Sequence, residues 1–190
     1  GDGWMEGGGL MRLLAIDPGT TQSAYAMLNE DYNLVSAAKV ENEVLLTLVK
    51  DGEWDEMAIE CMEARHVVNG VIGAETYDTC YWIGRYMQAA EDRGKPVHQV
   101  YRTQERTRLI PTKKNKLPKH PDTVGQGADS QIRATLIRRF AKHDKKNGKG
   151  KAAHKDVFYG FAKDMWSAFA IGVVHLDMER EKVVRRAANG

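Results

Sequence analysis

An apolar run from Leu13 to Ile16 stops at Asp17 and the Pro18-Gly19 pair, which predicts a buried strand entering a tight turn. Ala24 to Leu28 is a second such run, Asn29-Glu30-Asp31 supplies a turn, and Leu34 to Val40 predicts a third strand. Together they form an antiparallel meander. Helical spacing over Glu43 to Lys50 leads to a fourth strand, Met57 to Cys61, and a crossover of this length makes it parallel to the first. A polar loop from Glu63 to Gly73 precedes a long helix, about Ala74 to Arg93, stopped by Gly94 and Pro96. Val97 to Tyr101 is a fifth short strand, and Thr103 opens a helical turn. Pro111 to Gly127 reads as a basic loop holding Lys113, Lys114, Lys116, Lys119 and His120. A helix over Ala128 to His143 puts Ile132, Leu136, Ile137 and Phe140 on one face; Lys145 to Lys151 is a second Gly/Lys loop; Phe161 to about Glu179 is a closing helix.

Three acids interrupt these apolar segments. Side chains alternate across a strand, so Asp17 shares a face with Leu13 and Ala15, and Glu60 shares one with Ala58. Each acid follows, two positions on, an alanine that leaves room above the sheet. On the closing helix, Asp164, Ser167, Ala168 and Ile171 fall at i, i+3, i+4 and i+7, which turns Asp164 toward the packed side near the amino-terminal end. An acid in an apolar setting costs free energy unless it is paired or holds a cation, so the three point to one shared metal site. Oxygen ligands without a His/Cys set of zinc type favour a hard ion, Mg2+ or Mn2+. Two such ions about 3.5 to 4 Å apart would activate water for phosphodiester hydrolysis, with no covalent intermediate and no Ser/His/Asp or Cys/His arrangement.

Charge sharpens this picture. The 190 residues carry a formal net charge of only +2, yet residues 1–92 hold 5 Lys and Arg against 17 Asp and Glu, while residues 93–163 hold 19 against 5. A basic stretch of this strength suits neutralisation of phosphates. The 42% hydrophobic content supports one domain over residues 11–180, with residues 1–10 as a glycine-rich leader and 181–190 as a flexible tail. No apolar run nears the roughly 20 residues that span a bilayer, and no secretory leader is evident, so a cytoplasmic, intracellular protein without a membrane partner is expected. Cys61 and Cys80 are too few for a disulfide framework and read as reduced, buried thiols.

The order of elements is that of an α/β, ribonuclease H-like fold: a five-stranded mixed sheet flanked by helices. Within that group, Ala15-Ile16-Asp17-Pro18-Gly19-Thr20, Ala58-Ile59-Glu60, and Asp164 followed by Ala168-Phe169-Ala170-Ile171-Gly172-Val173-Val174-His175 resemble the RuvC-type Holliday-junction resolvases, phage-type members included. The resemblance implies a homodimer that binds four-way DNA junctions and nicks two strands symmetrically, using two Mg2+ or Mn2+ ions held by Asp17, Glu60 and Asp164. The family's usual fourth acid, one turn after the third, falls at Ser167, so its role either lapses or moves to Asp156, His154 or Glu63. An aromatic usual three residues after the second acid is replaced by Glu63. DNA contacts are expected from Arg65, His66 and Asn69, from Arg102, Arg106 and Arg108, and from Lys113, Lys114, Lys116, Lys145, Lys146, Lys149 and Lys151, as phosphate recognition rather than base readout. Tyr77, Tyr81 and Trp82 read as core or dimer-interface residues.

Three other readings stay open. A ribonuclease H-like nuclease acting on RNA would use the same acids, and a non-catalytic branched-DNA-binding protein would use only the basic half. Asp17-Pro18-Gly19-Thr20-Thr21 also matches the phosphate loop of sugar kinases and actin-like ATPases, but those need two lobes and a second loop, which 190 residues without a repeat do not supply.

Overall fold

The computed structural model describes residues 10–63, 72–119, 123 and 125–189. Strands β1 (Arg12–Asp17), β2 (Gln22–Asn29) and β3 (Leu34–Glu41) form the meander, helix α1 (Asn42–Asp51) crosses over to β4 (Glu56–Cys61), and α2 (Ala74–Asp92) leads to β5 (Val97–Tyr101). Then come α3 (Arg102–Leu109), α4 (Ala128–Phe140), a small hairpin of β6 (Gly150–Lys151) and β7 (His154–Lys155), and α5 (Lys163–Ala188). The sheet order is β3-β2-β1-β4-β5, antiparallel through the meander and parallel from β1 to β4 to β5. This is the mixed, five-stranded ribonuclease H-like arrangement that the order of elements predicts.

Alternation along the strands sorts the core into two layers. Leu13, Ala15, Ala24, Ala26, Leu28, Ala58 and Val100 face α5. Leu14, Ile16, Met27, Met57 and Ile59 face α1 and α2. Both faces are covered, so β1 and β4 carry continuous apolar runs rather than alternating ones. α5 is buried at every position from Ala168 to Leu176, because the sheet covers one side and α4 with Phe158 and Phe161 covers the other. Its closest approach is at Gly172, where a Cβ would lie 2.5 Å from Leu28 Cδ1 and 3.1 Å from Ala15 Cβ. Gly172→Val should therefore lower stability by about 1–3 kcal/mol through overpacking, read as a fall in the urea midpoint. An unchanged midpoint would mean that the helix and sheet are not in close contact there.

Several expectations are corrected. α4 ends at Phe140 rather than His143, because the Asp156 carboxylate accepts the backbone N–H groups of Lys142 (2.8 Å), His143 (2.8 Å), Asp144 (2.7 Å) and Val157 (2.7 Å) and draws the chain out of the helix. Residues 181–188, expected as tail, continue α5; the bidentate pair from Arg108 to Glu181, at 2.6 and 3.0 Å, holds this exposed extension against α3. Cys80 is exposed and Cys61 only half-buried, so the expectation of two buried thiols fails: α2 turns Cys80 outward. Tyr77 and Tyr81 are also exposed, while Trp82 packs at the edge of the α1–α2 core; the two tyrosines are therefore not core residues. Among the described residues, no helix is long and apolar enough to cross a membrane.

Candidate active site

Parallel register brings the first two acids together. Ala15 pairs with Ala58 and Ile16 with Ile59, so Asp17 and Glu60 follow side by side at the carboxyl ends of adjacent strands, which lie about 4.8 Å apart. The loop after Asp17 is held by a buried polar network that the hydrophobic pattern did not reveal. Asn42 Nδ2 donates to the Gly19 carbonyl (3.0 Å), Gly19 N–H donates to Ser23 Oγ (3.1 Å), and Ser23 Oγ donates to Asn42 Oδ1 (2.6 Å). The Tyr86 hydroxyl lies 3.2 Å from Ser23 Oγ, and burial pushes its pKa up to about 12. Gly19 itself cannot carry a side chain, since a Cβ would lie 2.2 Å from the Gln22 carbonyl oxygen.

Asp164, in the first turn of α5, lines one hollow with Asp17, Pro18, Gly19, Thr20 and Lys39. Lys39 reaches across from β3 to place Nζ 2.5 Å from Asp164 Oδ2, a pairing the sequence did not suggest. The proton affinity of Lys39 rises through that hydrogen bond, the charge of Asp164 and then that of Asp17. Asp17 is held well above the usual carboxylate range, first by burial and then by the negative charges of Glu60, Asp164 and Glu105, with Arg102 opposing.

Glu105 is the functional candidate that the sequence reading missed. It sits fully buried on α3, one oxygen accepting from Arg102 Nη1 at 2.8 Å and the other, Oε1, without a hydrogen-bond partner. Burial, then the charge of Glu60, pushes its pKa up to about 8 against the pull of Arg102 and Arg106. A usable signal was present: Glu105 and Leu109, at i and i+4, are the inward positions of a helix whose basic character drew attention to its other face. Ser167 lines a hollow with Arg102, Glu105, Asp129 and Trp166, so a carboxylate already stands beside the position where the resemblance implies one.

Asp156, His154 and Glu63 each have partners of their own. Asp156 organises the α4 end and the hairpin; burial raises its pKa, but four backbone donors outweigh this and hold it well below the usual carboxylate range. His154 stacks on His143 with ring centroids 3.9 Å apart, and Glu63 accepts a hydrogen bond from Thr103. Of the expected phosphate contacts, Arg102 is shared by Glu105 and Asp129, and Arg108 is committed to Glu181. Arg106, Lys113, Lys114, Lys116, Lys119, Lys145, Lys146, Lys149 and Lys151 are exposed. Arg65, His66, Asn69 and His120 lie outside the described residues.

Four carboxylates thus gather around the ends of β1 and β4, and the nearby cations, Lys39 and Arg102, already have acid partners. No three of them offer ligand oxygens within 4.8 Å of one another, and Lys39 holds one oxygen of Asp164. The donor set is all oxygen, and Glu105 Oε1 is an orphaned buried acceptor, so the residues fit hard divalent ions. Lys39→Met should lower the Mg2+ concentration for half-maximal binding, measured by calorimetry, because the ion would no longer compete with an ammonium for Asp164. A higher requirement would show that Lys39 supports the site.

No protein-family model and no curated protein sequence matches this chain. Solved structures do. RuvC of T. thermophilus in complex with a Holliday junction substrate superimposes with a TM-score of 0.59 at 16% identity, covering 90% of this chain and 96% of that one. A second structure of Thermus thermophilus RuvC gives 0.57 at 15% identity, covering 90% and 97%. The Fowlpox virus resolvase, solved with Holliday junction DNA, gives 0.48 at 12% identity, covering 88% and 98%. At these identities the likeness to the two RuvC structures establishes the fold.

Proposed function

We propose that this chain is a metal-dependent endonuclease that resolves four-way DNA junctions by paired nicks. The observation that carries the reading is the register of β1 on β4, which brings Glu60 alongside Asp17, itself a wall of the hollow shared with Asp164. The likeness to the RuvC structure solved with a Holliday junction substrate supports the choice of substrate.

Asp17, Glu60 and Asp164 would hold two Mg2+ or Mn2+ ions, with Glu105 rather than Ser167 as the fourth acid. Bound there, the ions supply activation of water and neutralisation of charge on the scissile phosphate. The chain's own residues do the rest. The Gly19, Ser23 and Asn42 network fixes the turn after Asp17 and therefore the direction of its carboxylate. The close approach at Gly172 fixes the height of α5, and hence Asp164, over the sheet. Arg102 bridges Glu105 and Asp129, orienting the buried acid.

Arg106 and the exposed lysines of residues 113–119 and 145–151 supply phosphate contacts, with loss of affinity at higher salt that steepens with each phosphate neutralised. Arg65, His66 and Asn69 remain assigned to the DNA backbone near the cut. The exposed Tyr77 and Tyr81 on α2 are the surface assigned to homodimer contact.

The test offers the full chain a labelled four-way junction, a matched duplex and an RNA:DNA hybrid, each with Mg2+, Mn2+ or EDTA. The expected result is paired nicks in the junction alone, abolished by EDTA. Junction binding without nicking under either metal would establish a non-catalytic DNA-binding protein, and cleavage confined to the RNA strand a ribonuclease.

A further inference from the structure

We propose that Glu56, His98 and His175 form a second divalent-cation site, of the zinc type, midway along α5 and remote from the carboxylate cluster. Glu56 opens β4, His98 follows the first residue of β5, and His175 lies on α5 eleven residues beyond Asp164, about 16 Å along the helix. In the parallel register His98 pairs with Ala58, so it shares with Glu56 the face of the sheet on which α5 packs. Four strand residues, about 13 Å, separate Glu56 from Glu60, so this site and the candidate active site hold different ions.

Ligand geometry favours the assignment. His98 Nε2 lies 3.1 Å and His175 Nε2 lies 3.5 Å from the same Glu56 oxygen, and all three donor atoms fall within 4.8 Å of one another. Neighbouring ligands around a tetrahedral zinc ion, with bonds of about 2.0–2.1 Å, stand about 3.3 Å apart, between the two observed separations.

A plain hydrogen-bonded cluster accounts for His98, which is aligned with Glu56, but not for His175. Its ring is 3% exposed, and Nε2, although near the carboxylate, has no hydrogen-bond partner. Buried ring nitrogens are ordinarily satisfied, and a metal ion facing Nε2 satisfies this one. The two imidazole rings stack with centroids 4.1 Å apart and planes 27° from parallel, so His98 must swing about its outer torsion for both lone pairs to converge. His98 and Glu56 are each about one-third exposed, which leaves that motion free and gives the ion a path and a fourth position for water. Two imidazoles with one carboxylate select borderline ions such as Zn2+ and Co2+ over Mg2+. An ion there would staple β4, β5 and α5, the helix that carries Asp164.

Co2+ and Zn2+ titrations of the full chain test this, with visible absorption, calorimetry and thermal melting as readouts. One equivalent of Co2+ should develop the visible bands of a tetrahedral nitrogen and oxygen site, without a sulfur-to-metal charge-transfer band from Cys61 or Cys80. Zn2+ should displace it and raise the melting temperature. Asp17→Asn, which alters the carboxylate cluster, should leave the tetrahedral Co2+ bands unchanged, whereas His98→Gln should weaken the uptake that gives those bands by at least tenfold and remove the shift in melting that accompanies it. Glu56→Gln serves the same purpose should His98→Gln fail to fold. Tetrahedral bands lost in Asp17→Asn but kept in His98→Gln, a thiolate band, or no saturable tetrahedral band would each overturn the proposal. None of these outcomes depends on whether the chain cleaves DNA.

Discussion

Asp17→Asn is expected to reduce junction nicking by about three orders of magnitude or more while leaving junction binding within a few-fold of the parent. The change keeps shape and removes charge at the acid that faces Glu60, Asp164 and Glu105 together. A metal ligand contributes several kcal/mol of transition-state stabilisation, and each 1.36 kcal/mol is about tenfold in rate. In the proposed reading binding rests on exposed basic side chains of residues 106–151 and not on Asp17, so it should survive. Gel-shift and cleavage assays on one labelled junction separate the two effects. Nicking within tenfold of the parent would remove Asp17 from the chemistry, and with it the proposed centre.

Glu105→Gln should act in opposite directions on activity and on stability. The Glu105 carboxyl is buried, has one unpartnered oxygen, and titrates at about 8 in the folded chain. Its folded pKa is raised above the unfolded value, so its contribution to stability is fully present below about pH 4.5 and is lost as pH rises toward 8. In EDTA the parent should therefore lose stability over that window by a few kcal/mol, an order-of-magnitude figure set by the size of the displacement. Glutamine imitates the protonated acid and should flatten this dependence, leaving the variant more stable than the parent at pH 8. If Glu105 is the fourth metal ligand, the same variant should need a higher Mg2+ concentration for cleavage. Equal pH profiles for both proteins would show that Glu105 stays ionised through its ion pair with Arg102. An unchanged Mg2+ requirement would return the fourth position to Ser167.

How far these assignments were legible in the sequence differs by residue. Asp17 and Glu60 stand out in the sequence because an acid ending an apolar strand is visible in a one-dimensional pattern, and their alanines two residues before are visible for the same reason. Asp164 stands out through helical spacing. Glu105 was missed because its neighbours Arg102, Arg106 and Arg108 dominate a short helix, and burial depends on what packs above it. Lys39 was missed because β3 is half-exposed and a lysine there is ordinary; only the crossing of β3 beneath the start of α5 makes it a partner of Asp164. Asp156 was weighed as a candidate acid and proved to be a loop organiser, because its four backbone donors come from residues 142–144 and 157, which sequence distance conceals.

By itself the sequence determined the order of elements, the division of each strand into two faces, and the gathering of basic residues into 93–163, because local periodicity and composition encode these directly. Only the tertiary structure decided which acids are neighbours, which cations neutralise them, and that Glu56, His98 and His175 meet midway along α5. The physical reason is that burial and Coulomb interaction depend on distance in space. Residues 60 and 105 acquire their chemistry only when the fold brings Glu105 within reach of the charge of Glu60, and residues 56 and 175 only when the packing of α5 brings them within 3.5 Å.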